Sequence, residues 1–101
     1  MANKLKPITP GEILLEEFMT PLDISQNKLA RDLDVPVGRI NDIVNARRII
    51  TTDTALRLAV YFGNTPEFWI NLQNRYDLKI AKAKLLPKIE RAVRPCERKV
   101  A

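Results

Sequence analysis

Two short stretches concentrate the side chains able to hydrogen-bond base edges and phosphates: Ser25-Gln26-Asn27-Lys28, and Val37-Gly38-Arg39-Ile40-Asn41-Asp42 leading into Asn45-Ala46-Arg47-Arg48. Asparagine and glutamine can bond base edges, arginine forks onto guanine or phosphate, and glycine lets a backbone approach closely. The residues between them show how they would be held. Ser25 is placed as an N-cap, and Leu29, Ala30 and Leu33 then recur at helical spacing, with Asn27, Lys28, Arg31 and Asp32 on the other side. Pro36 predicts a break at Asp34-Val35-Pro36 and the entry to a new helix. In that second helix Ile40, Ile43 and Val44 share one face, with Gly38, Asn41, Asp42 and Asn45 opposite. A short helix with an apolar back and a small, amide-rich front has the size and chemistry to lie in a DNA major groove. The amide end of the preceding helix would meet a phosphate. The same spacing also describes an ordinary helical hairpin with solvated polar faces, and Arg47 and Arg48 suit either phosphate contact or a solvated loop.

Length and composition bound the alternatives. A chain of 101 residues is one small domain, and 46% hydrophobic with 29% charged residues is ordinary for a soluble globular protein. With no histidine and a single cysteine, Cys96, neither an internal disulfide nor the usual metal ligand is available, so no metal or other cofactor is expected. There is no phosphate-cradling glycine loop and no nucleophile–base pair, which disfavours an enzyme. The absence of a membrane-length apolar run or a signal-type N-terminus makes the cytoplasm the expected compartment. Net charge is +5, but residues 84–101 carry six basic against two acidic side chains, leaving the rest nearly neutral. A basic patch on the body must therefore arise from placement.

Three parts follow from this: a basic arm over residues 1–8 with Lys4 and Lys6, a helical domain over 9–83, and a basic tail over 84–101. Thr9-Pro10-Gly11-Glu12 predicts a helix start with a capping box, followed by an apolar stripe of Ile13, Leu14 and Phe18 and a stop at Pro21. Glu12, Glu16 and Glu17 make this helix acidic, a face that would point away from DNA. Thr52 and Asp53 are expected to cap a fourth helix, Thr54 to Phe62, with Ala55, Leu56, Ala59 and Phe62 for the core and Gly63 as its stop. Thr65-Pro66-Glu67 opens a longer fifth helix. Phe68 is its expected core residue, while Trp69, Leu72, Tyr76 and Ile80 are candidates for a homodimer interface, Trp69 and Tyr76 suiting the core equally. In the tail, Pro87 and Pro95 rule out one continuous helix, though Leu85, Leu86, Ile89 and Val93 allow a short amphipathic segment. Cys96, near Arg94 and Arg98, has no accompanying base and reads as an incidental thiol.

Five helices with the hairpin at positions two and three resemble the Cro and phage-repressor class of helix-turn-helix domain, an all-α fold. Three motifs narrow the resemblance: Pro10-Gly11-Glu12-Ile13-Leu14; Arg39-Ile40-Asn41-Asp42-Ile43-Val44-Asn45 running on to Arg48; and Thr52-Asp53-Thr54-Ala55-Leu56-Arg57-Leu58-Ala59 followed by Thr65-Pro66-Glu67-Phe68-Trp69 and Tyr76-Asp77-Leu78. Together they are similar to the HigA (VapI-like) antitoxin family over roughly residues 7–80. The resemblance implies a dimer that binds a palindromic operator in double-stranded DNA, represses its own operon and neutralises a HigB-like ribonuclease toxin. The same domain also serves in stand-alone regulators without a toxin. Carried over by position, Gln26 and Asn27 would contact the DNA backbone, Val37, Gly38, Arg39 and Asn41 would read bases, and Asn45, Arg47 and Arg48 would hold phosphate. Asp42, near that face, would either accept from a cytosine amine or orient an arginine. Ala46 departs from the glycine common there, which predicts a turn less left-handed than usual.

Overall fold

In the computed structural model, residues 6–97 are described, and among them every regular element is helical. Thr9 caps α1 (Pro10–Ile13) through the expected box: its hydroxyl accepts from the Glu12 amide at 3.1 Å, and the Glu12 carboxylate accepts from the Thr9 amide at 3.0 Å. The chain continues directly as a π-helical segment over Leu14–Met19, closed by the Thr20 amide donating to the Leu15 carbonyl at 2.8 Å. The wider i→i+5 winding brings Leu14 and Met19 onto one face, both buried, with Phe18 partly buried beside them.

Next come α2 (Gln26–Leu33), capped by Ser25, and α3 (Val37–Val44), entered through Pro36. The turn between them depends on Asp34, which takes the left-handed conformation at φ 61°. The Val35 and Asp34 amides close back onto the carbonyls of Ala30 and Arg31, so the last turn of α2 is satisfied and the chain reverses sharply. α3 ends in the same way. Ala46 sits at φ 62°, its amide reaches the Ile43 carbonyl, and the Arg47 amide reaches the Asp42 carbonyl at 2.7 Å. The turn is thus fully left-handed although no glycine is present, correcting the expectation for Ala46. An L-residue is disfavoured there by roughly 1–2 kcal/mol. Ala46→Gly is therefore expected to raise stability by about 0.5–1 kcal/mol, read as a higher urea midpoint with an unchanged slope.

α4 (Thr52–Phe62) is capped one residue earlier than expected: Thr51, not Thr52 or Asp53, accepts from the Thr54 amide. With that phase Ala55, Leu58 and Ala59 are buried, whereas Leu56 is half exposed. Leu58 completes the i, i+3, i+4 set that Leu56 misses by one position. Gly63, left-handed at φ 74°, ends the helix as expected. α5 (Pro66–Lys84), capped by Thr65, is the longest element. A sixth helix, α6 (Leu86–Ala92), with Pro87 in its first turn, occupies the expected tail and buries none of its residues.

The core lies where α1 meets α3 and α5, α2 meets α3 and α4, and α4 meets α5. Its largest side chain is Trp69, 0% exposed, with its indole N–H donating to Asn64 Oδ1 at 2.9 Å. Phe18 packs on it at 4.8 Å between ring centroids, and Phe62 at 6.0 Å. Phe68 touches Trp69 edge-on from outside and remains 37% exposed. Phe68, the expected core residue, is thus the outer of the two, and Trp69 takes the core role, one of the two left open for it. The loop between α3 and α4 is held from within: buried Gln73 on α5 accepts from the Ile50 amide at 2.8 Å. Among the described residues no helix is long and apolar enough to cross a membrane. Lys4 of the basic arm and Arg98, the expected neighbour of exposed Cys96, lie outside the described residues.

Candidate nucleic-acid interface

α3 is anchored by Ile40 and Ile43, 0% and 1% exposed, so its opposite side must face solvent. Val37 is 44% exposed at its first turn, and a Cβ built on Gly38 meets no neighbour within 4 Å. Asn45 is exposed at the far end, with its amide donating to the Asn41 carbonyl. The backbone of α3 can therefore approach an external surface closely at Gly38, with Val37 and Asn45 to either side.

Around this front the predicted polar residues form one hydrogen-bonded chain. Asn41 Nδ2 donates to Gln26 Oε1 at 3.2 Å, which ties the first turn of α2 to the middle of α3. Asn41 Oδ1 accepts from Arg47 Nη2 at 2.8 Å, and Arg47 Nε donates to Asp42 Oδ1 at 3.3 Å. Arg48 reaches the other Asp42 oxygen at 4.0 Å. In the unbound chain Asp42 is thus paired with both arginines. Asn27 is exposed beside Gln26, next to the α2 amides that Ser25 caps through Lys28 at 3.0 Å. Gln26, Asn27, Val37, Gly38, Asn41, Asn45, Arg47 and Arg48 are thus placed around the two helices and the loop that follows.

Arg39 stands apart. Its guanidinium reaches sideways to α4, where Nη1 donates to Asp53 Oδ2 at 2.8 Å. The same oxygen accepts from Arg57 Nε at 2.9 Å. Arg57 also donates to the backbone carbonyls of Leu33 and Asp34, at 2.8 and 3.3 Å, at the end of α2. The two guanidiniums, Arg57 first, hold the Asp53 carboxyl below its ordinary range. In the sequence Asp53 stands where a helix cap is expected. The i, i+4 spacing of Asp53 and Arg57 was a legible sign of their pairing; the reach to Arg39 was not.

The other residue overlooked is Gly11. A Cβ there would lie 1.9 Å from the Ile43 carbonyl oxygen and 2.9 Å from Val44 Cα. α1 is seated directly on the final turn of α3, and only glycine permits that approach.

Comparison with known proteins agrees with this geometry. A helix-turn-helix family model matches residues 15–70. Virulence-associated protein I of Dichelobacter nodosus is 50% identical over 80 residues, which cover 79% of this chain and 74% of that protein. An addiction module antidote protein of the HigA family from Coxiella burnetii superposes with a TM-score of 0.84 at 52% identity, covering 91% of this chain and 100% of that one. This chain belongs to the HigA family of helix-turn-helix proteins. Another family structure, the Pseudomonas aeruginosa antitoxin HigA with the higBA promoter, matches with a TM-score of 0.85 at 46% identity, covering 88% of this chain and 97% of that one.

Within the HigA fold, the candidate dimer residues divide. Trp69 is removed from that set because it is fully enclosed in the core of its own chain and has no surface to offer. Leu72, Tyr76 and Ile80 are half buried along α5. Leu72 and Tyr76 line a groove with Pro7, Ile8 and Ile13, rimmed by Arg75 and Lys79.

Proposed function

We propose that this HigA-family chain is an antitoxin that binds its own operator as a homodimer and neutralises a HigB-like ribonuclease toxin. The observation that carries this reading is the assembly of Gln26, Asn41, Arg47 and Asp42 around the bare Gly38 front of α3. That arrangement is what a groove-reading helix requires, and a relative of the same fold was solved with its promoter.

In this mechanism α3 enters the major groove Gly38-first, with Val37 against a thymine methyl and Asn41 toward a base edge. The amide end of α2, with Gln26 and Asn27, sits on one phosphate, while Asn45, Arg47 and Arg48 hold the next. The Asn41 and Asp42 contacts preset Arg47, so less side-chain freedom is lost on binding. Pairing through Leu72, Tyr76 and Ile80 places two copies of α3 on successive turns of a palindromic site. The arm (1–8) and tail (84–101) flank the reading domain (9–83), and the tail's basic excess adds sequence-independent attraction. The protein works without catalysis or cofactor, in the cytoplasm with its operon.

Gly38→Leu tests the groove contact. Its Cβ meets no protein atom within 4 Å and leucine replaces a poor helix former, so the fold should be retained or gain up to about 1 kcal/mol. Operator affinity should fall more than about tenfold, because the added side chain occupies the approach to the bases. Retained affinity in the folded variant would remove Gly38 from the interface. For the toxin, the decisive experiment is to search the neighbouring reading frames for one encoding a small basic protein and co-express it: growth restored from arrest supports neutralisation, while continued arrest, or no such frame, contradicts it.

A further inference from the structure

We infer that Asp53 is a brake on DNA binding: in the unbound protein its carboxylate occupies the Arg39 guanidinium, which must leave it before meeting a phosphate or base. The inference rests on the DNA-binding reading and goes beyond it by assigning a role to an acidic residue outside the reading helix.

Three features of the geometry support it. First, Arg39 is the one cationic side chain of α3, and it is turned away from the reading front toward α4; its side chain is 28% exposed while that of Asp53 is 55% exposed. The acid is thus open to solvent and to any polyanion brought against α3, and the arginine is folded over to it. Second, the two cations on Asp53 are held differently. Arg57 is also bound to the carbonyls of Leu33 and Asp34, which fixes it to the end of α2. Arg39 is joined to this corner through Asp53 Oδ2. When DNA competes, Arg57 therefore keeps the carboxylate in place and Arg39 is the group that exchanges. Third, an ion pair this exposed contributes little, so a phosphate can replace the carboxylate. Until it does, the carboxylate offsets one of the two guanidiniums that share it, which lowers the positive charge this corner presents to DNA.

Asp53→Asn and, as a second variant, Asp53→Ser test this in the full chain, with thermal unfolding to confirm the fold. Each is titrated against operator DNA and unrelated duplex over a range of salt, alone and combined with Arg39→Ala. The brake predicts that both variants bind both DNAs about twofold to fivefold more tightly. Because Arg39 reaches the DNA in both proteins once it is released, the slope of log affinity against log salt should change by less than the ~0.9 of an added phosphate contact. In the Arg39→Ala background the gain should vanish. Weaker operator binding by the Asp53 variants would overturn the inference, making the carboxylate a support for Arg39. An unchanged affinity would overturn it too, as would an equal gain in the Arg39→Ala background, which would reduce the effect to a general field. Loss of selectivity by the unsubstituted chain would instead count against operator recognition, and the unrelated-duplex arm would still read the brake.

Discussion

Trp69→Ala is expected to destabilise the fold by about 3–5 kcal/mol, the range for emptying a fully enclosed aromatic site. Trp69 is 0% exposed, lies 4.8 Å from the Phe18 ring and donates its indole N–H to Asn64. The substitution therefore removes the largest buried side chain and one hydrogen bond, and it leaves Phe18 and Phe62 facing a void. For a domain of this size a loss of 1 kcal/mol lowers the melting temperature by about 4–8 °C, so a fall on the order of 15–30 °C is expected by circular dichroism. Trp69→Phe should fall between, keeping most of the packing and losing the bond to Asn64. Because Trp69 is the chain's single tryptophan, its fluorescence reports the same transition in the unsubstituted protein. A change below about 1 kcal/mol for Trp69→Ala would be typical of a surface side chain, and it would contradict the core described above.

The second large effect comes from the smallest residue. Gly11→Ala adds one methyl group against backbone, not against a side chain that can turn away, since the nearest atoms belong to the peptide of Ile43 and to Val44 Cα. α1 must then move off α3 or the last turn of α3 must shift. Overpacking of this kind costs about 1–3 kcal/mol, and the rigidity of the opposing atoms places Gly11→Ala near the upper end. The displaced segment leads into Asn45, Arg47 and Arg48, so operator affinity should drop even at temperatures where the variant stays folded. Urea unfolding and operator titration of one preparation separate the two losses. Full stability in Gly11→Ala would show that the helices do not approach this closely.

The comparison between sequence and structure turns on how local each signal is. Thr9, Ser25 and Thr65 act within their own turns, and each caps the helix its position implied. Ile40 and Ile43, like Leu29, Ala30 and Leu33, follow the helical period and are buried as expected. The period misled where the backbone departed from it. Met19 belongs to the core because Leu14–Met19 winds as a π-helix, a change a regular stripe cannot register. Leu58 and not Leu56 shares the buried face of α4 with Ala55 and Ala59, since two residues along a helix turn the side chain by about 200°. Phe68 and Trp69 are adjacent, and which one faces inward depends on how α5 is rotated over Phe18 and Phe62, something neither residue reveals. At the candidate site, residue types and order point to a helical front that the structure leaves exposed at Val37, Gly38 and Asn45. The connections within it, Gln26 to Asn41 and Arg39 to Asp53, join residues fifteen and fourteen positions apart and required the fold.

The central claim is that α3, held by its amide and arginine network, reads a particular DNA sequence. Its most direct test is a titration of the purified protein against the DNA upstream of its own gene and against an unrelated duplex, at two salt concentrations. Tight binding to the upstream DNA, with a clear preference over the unrelated duplex at both salts, is the predicted result. Weak and equal binding to both, collapsing at the higher salt, would mean that the basic tail makes the contact, and it would contradict the assignment of α3 as a reading helix.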